Sequence, residues 1–278
     1  MLSPADDLPD SYLDLLKRAL MGITIGPQRE YTPITVGRDR VRAAVLHQLE
    51  LRNRVVAIPR DVDPENNPEG TLFVSDLPNG VMTMIGRARL DNVHKCMVTA
   101  LKDGVPGDVI ETGVWQGGTT ILMRAVFKAY GINDRKVYVA DSFEGLPSPD
   151  LTNYPQDQVF DYVIPELAVT MAKVRNNFRL YGLLDDQVSF VRGWFKDSLP
   201  ALKSNTWSVI RLDGDLYQST MDALTNLYPQ LAPGGFCIID DFEIPVCAQA
   251  VSDYRETHNI TDEILQVDWT GIYWRKSG

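Results

Sequence analysis

Four aspartates close two apolar runs, in "IRLDGDLYQST" (210–220) and in "FCIIDDFEIP" (236–245). Asp213 and Asp215 are two residues apart, so on an extended strand they point to one side. Asp240 and Asp241 end the apolar run that follows the next helical stretch, which in a parallel sheet is expected to be a neighbouring strand. Singly, such residues are ordinary: Asp-Gly is a turn dipeptide, and aspartates often end strands or cap helices. As a converging set they would repel, or raise one another's pKa values, unless a cation neutralised them. Carboxylate oxygens with few His or Cys residues available suit a hard ion, most naturally Mg2+. Such an ion can hold a substrate hydroxyl and lower its pKa, while an aspartate not used as a ligand takes the proton.

A second constellation is "DVIETGVWQGGTT" (108–120), which reads as strand, glycine turn and helix start. Gly113, Gly117 and Gly118 allow backbone to approach a ligand, and the following helix offers free N–H groups. Asp141 in "VYVADSFEG" ends the next strand, where an acid would hold a ribose hydroxyl pair. A strand-end glycine turn is often only a tight connection; followed by Asp141 it points to an adenosine-containing ligand. The spacing G-x-x-x-G-G departs from the dinucleotide fingerprint G-x-G-x-x-G. None of the eleven tyrosines has a lysine four residues on, so the Tyr-x-x-x-Lys pair of a nicotinamide short-chain dehydrogenase is missing. Glu111 beside the turn suits a cationic, ammonium-bearing ligand better than a diphosphate. These features favour S-adenosylmethionine (SAM).

The elements that must position these residues follow from the apolar pattern. Helices are expected at 11–22, 37–53 and 85–104, with a proline-rich loop over 58–80. From Val105 short apolar runs alternate with helical stretches. Strands are expected at 107–113, 136–141, 187–193, 208–215 and 235–241, with terminal strands near 263–275. Helices are expected near 117–131, 162–181, 219–231 and 246–258. This βαβ alternation implies an α/β fold, a mostly parallel sheet with helices on both faces, and ligands bound outside the carboxyl ends of the strands. The chain reads as one domain over 1–278, with a helical N-terminal extension (1–104) and a Rossmann-like core (105–278). The stretch 142–160 is long enough for an active-site lid and serves equally as a surface excursion.

Composition narrows the function classes. With 27 Lys plus Arg against 37 Asp plus Glu, the formal charge is -10, which disfavours nucleic acid as a partner. Cys96, Cys237 and Cys247 have no metal-ligand spacing, and His47, His94 and His258 are scattered. The opening "MLSPADDLPD" lacks an apolar h-region and no run has the length of a membrane span, so a cytoplasmic protein is expected.

"SYLDLLKRAL", "DPENNPEG", "TMIGRARLDNV", "VIETGVWQGGTT", "VADSFEGLPSPD", "RLDGDLYQST" and "GGFCIIDDF" resemble, in the same order, the macrocin O-methyltransferase (TylF-type) family. The resemblance implies a class I, SAM- and Mg2+-dependent methyltransferase acting on a deoxysugar hydroxyl of a glycosylated natural product, as in antibiotic biosynthesis. It matches Asp213, Asp240 and Asp241 to the metal ligands and Asp215 to the general base. It matches Glu111, Gly113, Trp115 and Thr119 to the SAM pocket, and Asp141 with Ser142 to the ribose end. Thr83, Met84 and Ile85 match a segment closing over the methionine end, and Asp213 also borders the cofactor. "RGWFKDSLP" resembles the adenine-side loop of catechol-type methyltransferases, which puts Gly193, Trp194 and Phe195 near the base; read alone, these aromatics suit packing. The expected partner is a small-molecule glycoside, with a homodimer possible. The alternatives are a catechol or phenolic O-methyltransferase with the same metal site, an NAD(P)-dependent sugar oxidoreductase or epimerase, and a non-catalytic SAM-binding protein.

Overall fold

The computed structural model describes residues 8–25, 28–33, 57–62, 69–71, 77, 80–160 and 165–278. The helix expected at 37–53 lies outside the described residues, as does most of the loop expected over 58–80. Its beginning is a correction: β2 (Ala57–Val62) pairs antiparallel with β1 (Gln28–Pro33). Pro33 and Pro59 disguise these strands, but a two-stranded ribbon has an outward edge on each strand, where a missing N–H is tolerated.

Helix α1 (Leu8–Leu20) buries Leu13, Leu16 and Leu20 at helical spacing. Helix α2 (Arg87–Lys102) buries Leu90, Val93, Met97 and Ala100 on one stripe and stops at Asp103 and Gly104. Then come β3 (Asp108–Thr112), α3 (Gly118–Ala129), β4 (Val137–Asp141), α4 (Met171–Leu180) and β5 (Val188–Arg192). The chain continues through α5 (Phe195–Ser198), β6 (Trp207–Leu212), α6 (Tyr217–Leu227), β7 (Leu231–Ile239) and α7 (Pro245–Thr257). It ends with β8 (Leu265–Gln266) and β9 (Ile272–Arg275).

The strand expected over 208–215 ends at Leu212, so Asp213 and Asp215 lie in the turn beyond it rather than side by side on an extended strand, and two other boundaries move at prolines. Helix α4 starts at Met171 rather than near 162, because Pro165 sits in a 3-10 turn and Thr170 caps the helix by accepting from Lys173 N. After α6, Pro229 lies in a 3-10 turn, and β7 begins at Leu231 rather than 235. Its pairing with β6 jumps from Leu231 to Phe236, so the residues between form a bulge.

The seven strands are ordered β5-β4-β3-β6-β7-β9-β8, all parallel from β5 to β7, with β9 antiparallel to β7 and β8 antiparallel to β9. Strand order reverses between β3 and β6, which makes the crevice at their carboxyl ends the expected ligand site. Each strand alternates between two cores. Val109, Val209, Phe236 and Ile238 pack with α1, α2, α3 and α4, while Ile110, Ile210, Cys237 and Ile239 pack with α6 and α7. Glu111, Arg211, Asp213 and Asp240 continue the first series, so period-two geometry places these charged residues on the face that α2 covers. Among the described residues, no helix is long and apolar enough to cross a membrane.

Candidate active site

The register explains the centre of the site. Glu111 on β3 lies directly beside Arg211 on β6, and Arg211 lies beside Ile238 on β7, two residues before Asp240. The Arg211 guanidinium, 1 % exposed, pairs with Glu111 Oε1, with Asp240 Oδ1 and, at 2.7 Å, with Asp213 Oδ2. Asp240 Oδ2 takes a second buried cation, Arg89 Nη1 on α2, at 2.6 Å, and Arg89 Nε reaches Asp268 Oδ2 at 2.9 Å. The carboxylates thus have resident counter-cations, which the expectation of a bare acidic cluster left out. Burial disfavours the Arg211 charge, and the facing Asp240, Asp213 and Glu111 outweigh it, holding its pKa well above the usual value.

Two arginines do not neutralise the set. Asp213, Asp240 and Asp241 each offer one oxygen within 4.8 Å of the others. Burial raises the pKa of both Asp213 and Asp241, and the charges of Asp213, Asp215 and Asp240 push Asp241 well above the carboxylate range. Burial and the Asp213 and Asp240 charges lift Asp215 to about 7. Burial lifts Glu111 to about 8, and among the described residues its Oε2 has no hydrogen-bond partner. Asp215 occupies the left-handed region (φ 55°) and donates its N–H to Asp241 Oδ2 at 3.3 Å.

The glycine turn sits at the same end of the sheet, but its glycines serve a different purpose from the one expected. A Cβ on Gly113 would stand 1.6 Å from the Asp213 carbonyl oxygen, and one on Gly118 would stand 2.3 Å from the Met82 carbonyl oxygen. Both positions are glycine so that protein backbone can approach: β6 at one, the segment holding Thr83, Met84 and Ile85 at the other. Gly118 N–H donates to Met82 O at 2.8 Å and fixes that segment over the helix start. Asp141 Oδ2 accepts from Val114 N at 2.8 Å and Oδ1 from Phe143 N at 2.6 Å. Burial raises the Asp141 pKa, and these backbone donors hold it back.

One cavity of about 740 Å³ joins both halves. Thr83, Met84, Ile85, Glu111, Gly113, Trp115, Thr119, Asp141 and Ser142 line one part. Asp213, Asp215, Asp240, Asp241, Trp194 and Phe195 also stand on its wall. Of the expected residues only Gly193 is not on its wall; it shapes the turn instead, with φ 137° and its N–H on Asp141 O. The wall also carries Arg89, Lys196, Gln218 and Asp222, none of which the motifs single out. Arg211 was within reach of sequence reasoning, because an arginine inside the apolar run "SVIRLD" has to find a buried acid.

The model of the Macrocin-O-methyltransferase (TylF) family matches residues 9–276. The chain belongs to this family. It is 44% identical over 274 residues, 97% of this chain and 94% of the relative, to "8-demethyl-8-(2,3-dimethoxy-alpha-L-rhamnosyl)-tetracenomycin-C 4'-O-methyltransferase" of Streptomyces olivaceus. It is 50% identical over 206 residues, 73% of this chain and 81% of the relative, to "Mycinamicin III 3''-O-methyltransferase" of Micromonospora griseorubida. Among solved structures, the O-methyltransferase NovP superposes with a TM-score of 0.78 at 38% identity, over 97% of this chain and 100% of NovP. The calicheamicin methyltransferase CalS11, at a TM-score of 0.55 and 16% identity, shares the fold. A TylF-family protein is an O-methyltransferase with the α/β Rossmann-like fold expected from the strand–helix alternation. That assignment sets aside the oxidoreductase and non-catalytic alternatives.

Proposed function

We propose that this enzyme transfers a methyl group from SAM to a deoxysugar hydroxyl of a glycosylated small molecule, with Mg2+ held by Asp213, Asp240 and Asp241. The observation that carries the reading is the oxygen triad beside Asp215, in one cavity with the glycine turn. The donor set fits a hard divalent cation: it is oxygen-only, and burial drives Asp213 and Asp241 toward protonation unless a cation offsets their charge. The cavity fits SAM, with Trp194 and Phe195 available to the adenine, Asp141 to the ribose, and Glu111 Oε2 as a buried acceptor for an ammonium group. When bound, Mg2+ supplies Lewis acidity to the accepting hydroxyl and SAM supplies the methyl group.

The chain's own residues do the rest. Asp215 takes the hydroxyl proton as in-line displacement proceeds. Arg211 and Arg89 fix both oxygens of Asp240, and Arg211 ties Glu111 at the cofactor end to Asp213 at the metal end. The name of the Streptomyces olivaceus relative, which specifies a rhamnosyl-bearing compound, supports a glycoside acceptor. Helices α1 and α2 share a core with the sheet, which supports reading the chain as one domain with a helical extension.

The test is methyl transfer by chelated and Mg2+-restored enzyme over matched panels of glycosides and catechols. Glycoside turnover that disappears on chelation and returns with Mg2+ is the expected result. Full activity after chelation would remove the metal from the reading, and turnover of catechols alone would replace the acceptor class.

A further inference from the structure

We propose that Asp157 is a positioning residue for Asp215, joining the cavity-lining loop 142–160 to the turn that carries the base. The proposal rests on the reading of Asp215 as that base. Asp157 is fully buried (0 % exposed) in the 3-10 turn Pro155–Phe160, and its partners lie 60 and 61 residues further on. Its Oδ1 accepts from Tyr217 N at 2.7 Å and its Oδ2 from Gln218 N at 3.1 Å.

These two amides begin α6, whose N-cap residue Leu216 provides no side-chain cap. The first N–H groups of a helix have no intrahelical partner, and a carboxylate there is also favoured by the helix dipole. Asp157 therefore supplies from a distant loop what Leu216 cannot supply locally. The consequence for chemistry lies two residues upstream. Asp215 holds a left-handed backbone, an uncommon conformation that aspartate tolerates better than most residues, so its neighbours decide how firmly it is kept. Asp241 restrains it from one side through the Asp215 N–H, and Asp157 restrains the chain on the other.

The loop end is built in as well. The Tyr154 ring lies 6.1 Å from that of Tyr217, whose hydroxyl donates to Asp253 Oδ2 on α7 at 2.9 Å. Upstream in the same loop, Leu146, Pro147, Ser148 and Asp150 line the cavity. Whatever shifts the loop therefore acts on the 213–218 turn through a buried two-oxygen clasp.

The experiment uses the whole enzyme with Asp157→Ala and the isosteric Asp157→Asn, which keeps one acceptor and is the variant of record if the alanine form does not fold. The first readout needs no acceptor: hydrogen exchange, with S-adenosylhomocysteine affinity and the Mg2+-induced shift in Tm measured in parallel. Peptides covering 213–220 should exchange roughly tenfold faster in Asp157→Asn, with 142–158 rising in step, as expected for one local cooperative unit. Affinity for S-adenosylhomocysteine should stay within about twofold, since both Asp157 bonds lie outside the glycine turn. On the best acceptor of the glycoside panel, kcat should fall roughly tenfold to a hundredfold with KM for SAM unchanged, the range that a misplacement of about 1 Å costs. Unchanged exchange at 213–220, or a lower Tm with unchanged kcat, would overturn the proposal and leave Asp157 a plain helix cap. Wild-type enzyme that methylates no glycoside would count against the proposed function, while the exchange measurement would still judge the clasp.

Discussion

Asp141 and Asp240 both end strands of one sheet, both line one cavity, and each is surrounded by a different kind of donor. Asp141 is held by neutral groups, the N–H of Val114 and of Phe143, with the Ser142 hydroxyl alongside. Asp240 is held by two guanidinium groups, one on each oxygen, and faces Asp213 and Asp241. The first arrangement satisfies both oxygens with hydrogen bonds and ties two turns together. The second leaves more negative charge than its two arginines offset, which is the condition for holding a further cation. The difference suggests how to tell a strand-end acid that serves a turn and a neutral ligand group from one prepared for a cation: by the carboxylates crowded beside it rather than by residue type.

The largest expected effect comes from the acidic end. Asp215→Asn should lower kcat by about 10²- to 10⁴-fold, the usual contribution of a positioned base. S-adenosylhomocysteine affinity by calorimetry should be unchanged; its loss would mean that Asp215 belongs to the cofactor end. Next, Arg211→Met should destabilise the fold by about 3–5 kcal/mol, because it strands buried carboxylates on Glu111, Asp213 and Asp240. Added Mg2+ should recover part of that loss in thermal unfolding. A variant as stable as wild type without metal would show that the carboxylates protonate freely and need no resident cation. Asp141→Asn should cost less, about 1–3 kcal/mol, since one buried N–H is left without an acceptor. Its Mg2+-induced stabilisation should match wild type, and a diminished Mg2+ response would erase the distinction between the two ends.

The legible parts of the molecule are those whose signal is local. Four aspartates at strand ends, the glycine turn and the order of strands and helices each occupy a short window of sequence, and the structure gathers those windows at one sheet edge. Arg211 went unread, although an arginine inside the apolar run of β6 has to find a buried acid. The Arg89 to Asp240 pair spans 151 residues and the Asp157 to Tyr217 bond spans 60, so nothing local announces either. β1 and β2 stayed hidden because their prolines mimic loop composition, and α4 was expected too long because the apolar pattern before it continues through Pro165.

The smallest predicted effect places a third carboxylate in the comparison. Asp222 on α6 lines the cavity, and among the described residues neither a backbone donor nor a buried guanidinium stands against it. Burial raises its pKa from 3.8 to about 6, outweighing the pull of Lys196 and of the Gln218 hydrogen bond. With the folded value above the unfolded one, the folded protein binds the extra proton, so this group's contribution to stability falls as pH rises from about 4 through 6. Asp222→Asn should therefore raise Tm at pH 7.5 and leave it unchanged at pH 4. The gain should be about 1 kcal/mol or less, because the side chain is partly solvated and solvent screens it. Thermal unfolding of both proteins across that range reads the sign directly. A variant that is less stable at pH 7.5 would mean that Lys196 holds Asp222 as the arginines hold Asp240, and the cation-held group would then extend along α6 toward the cavity mouth.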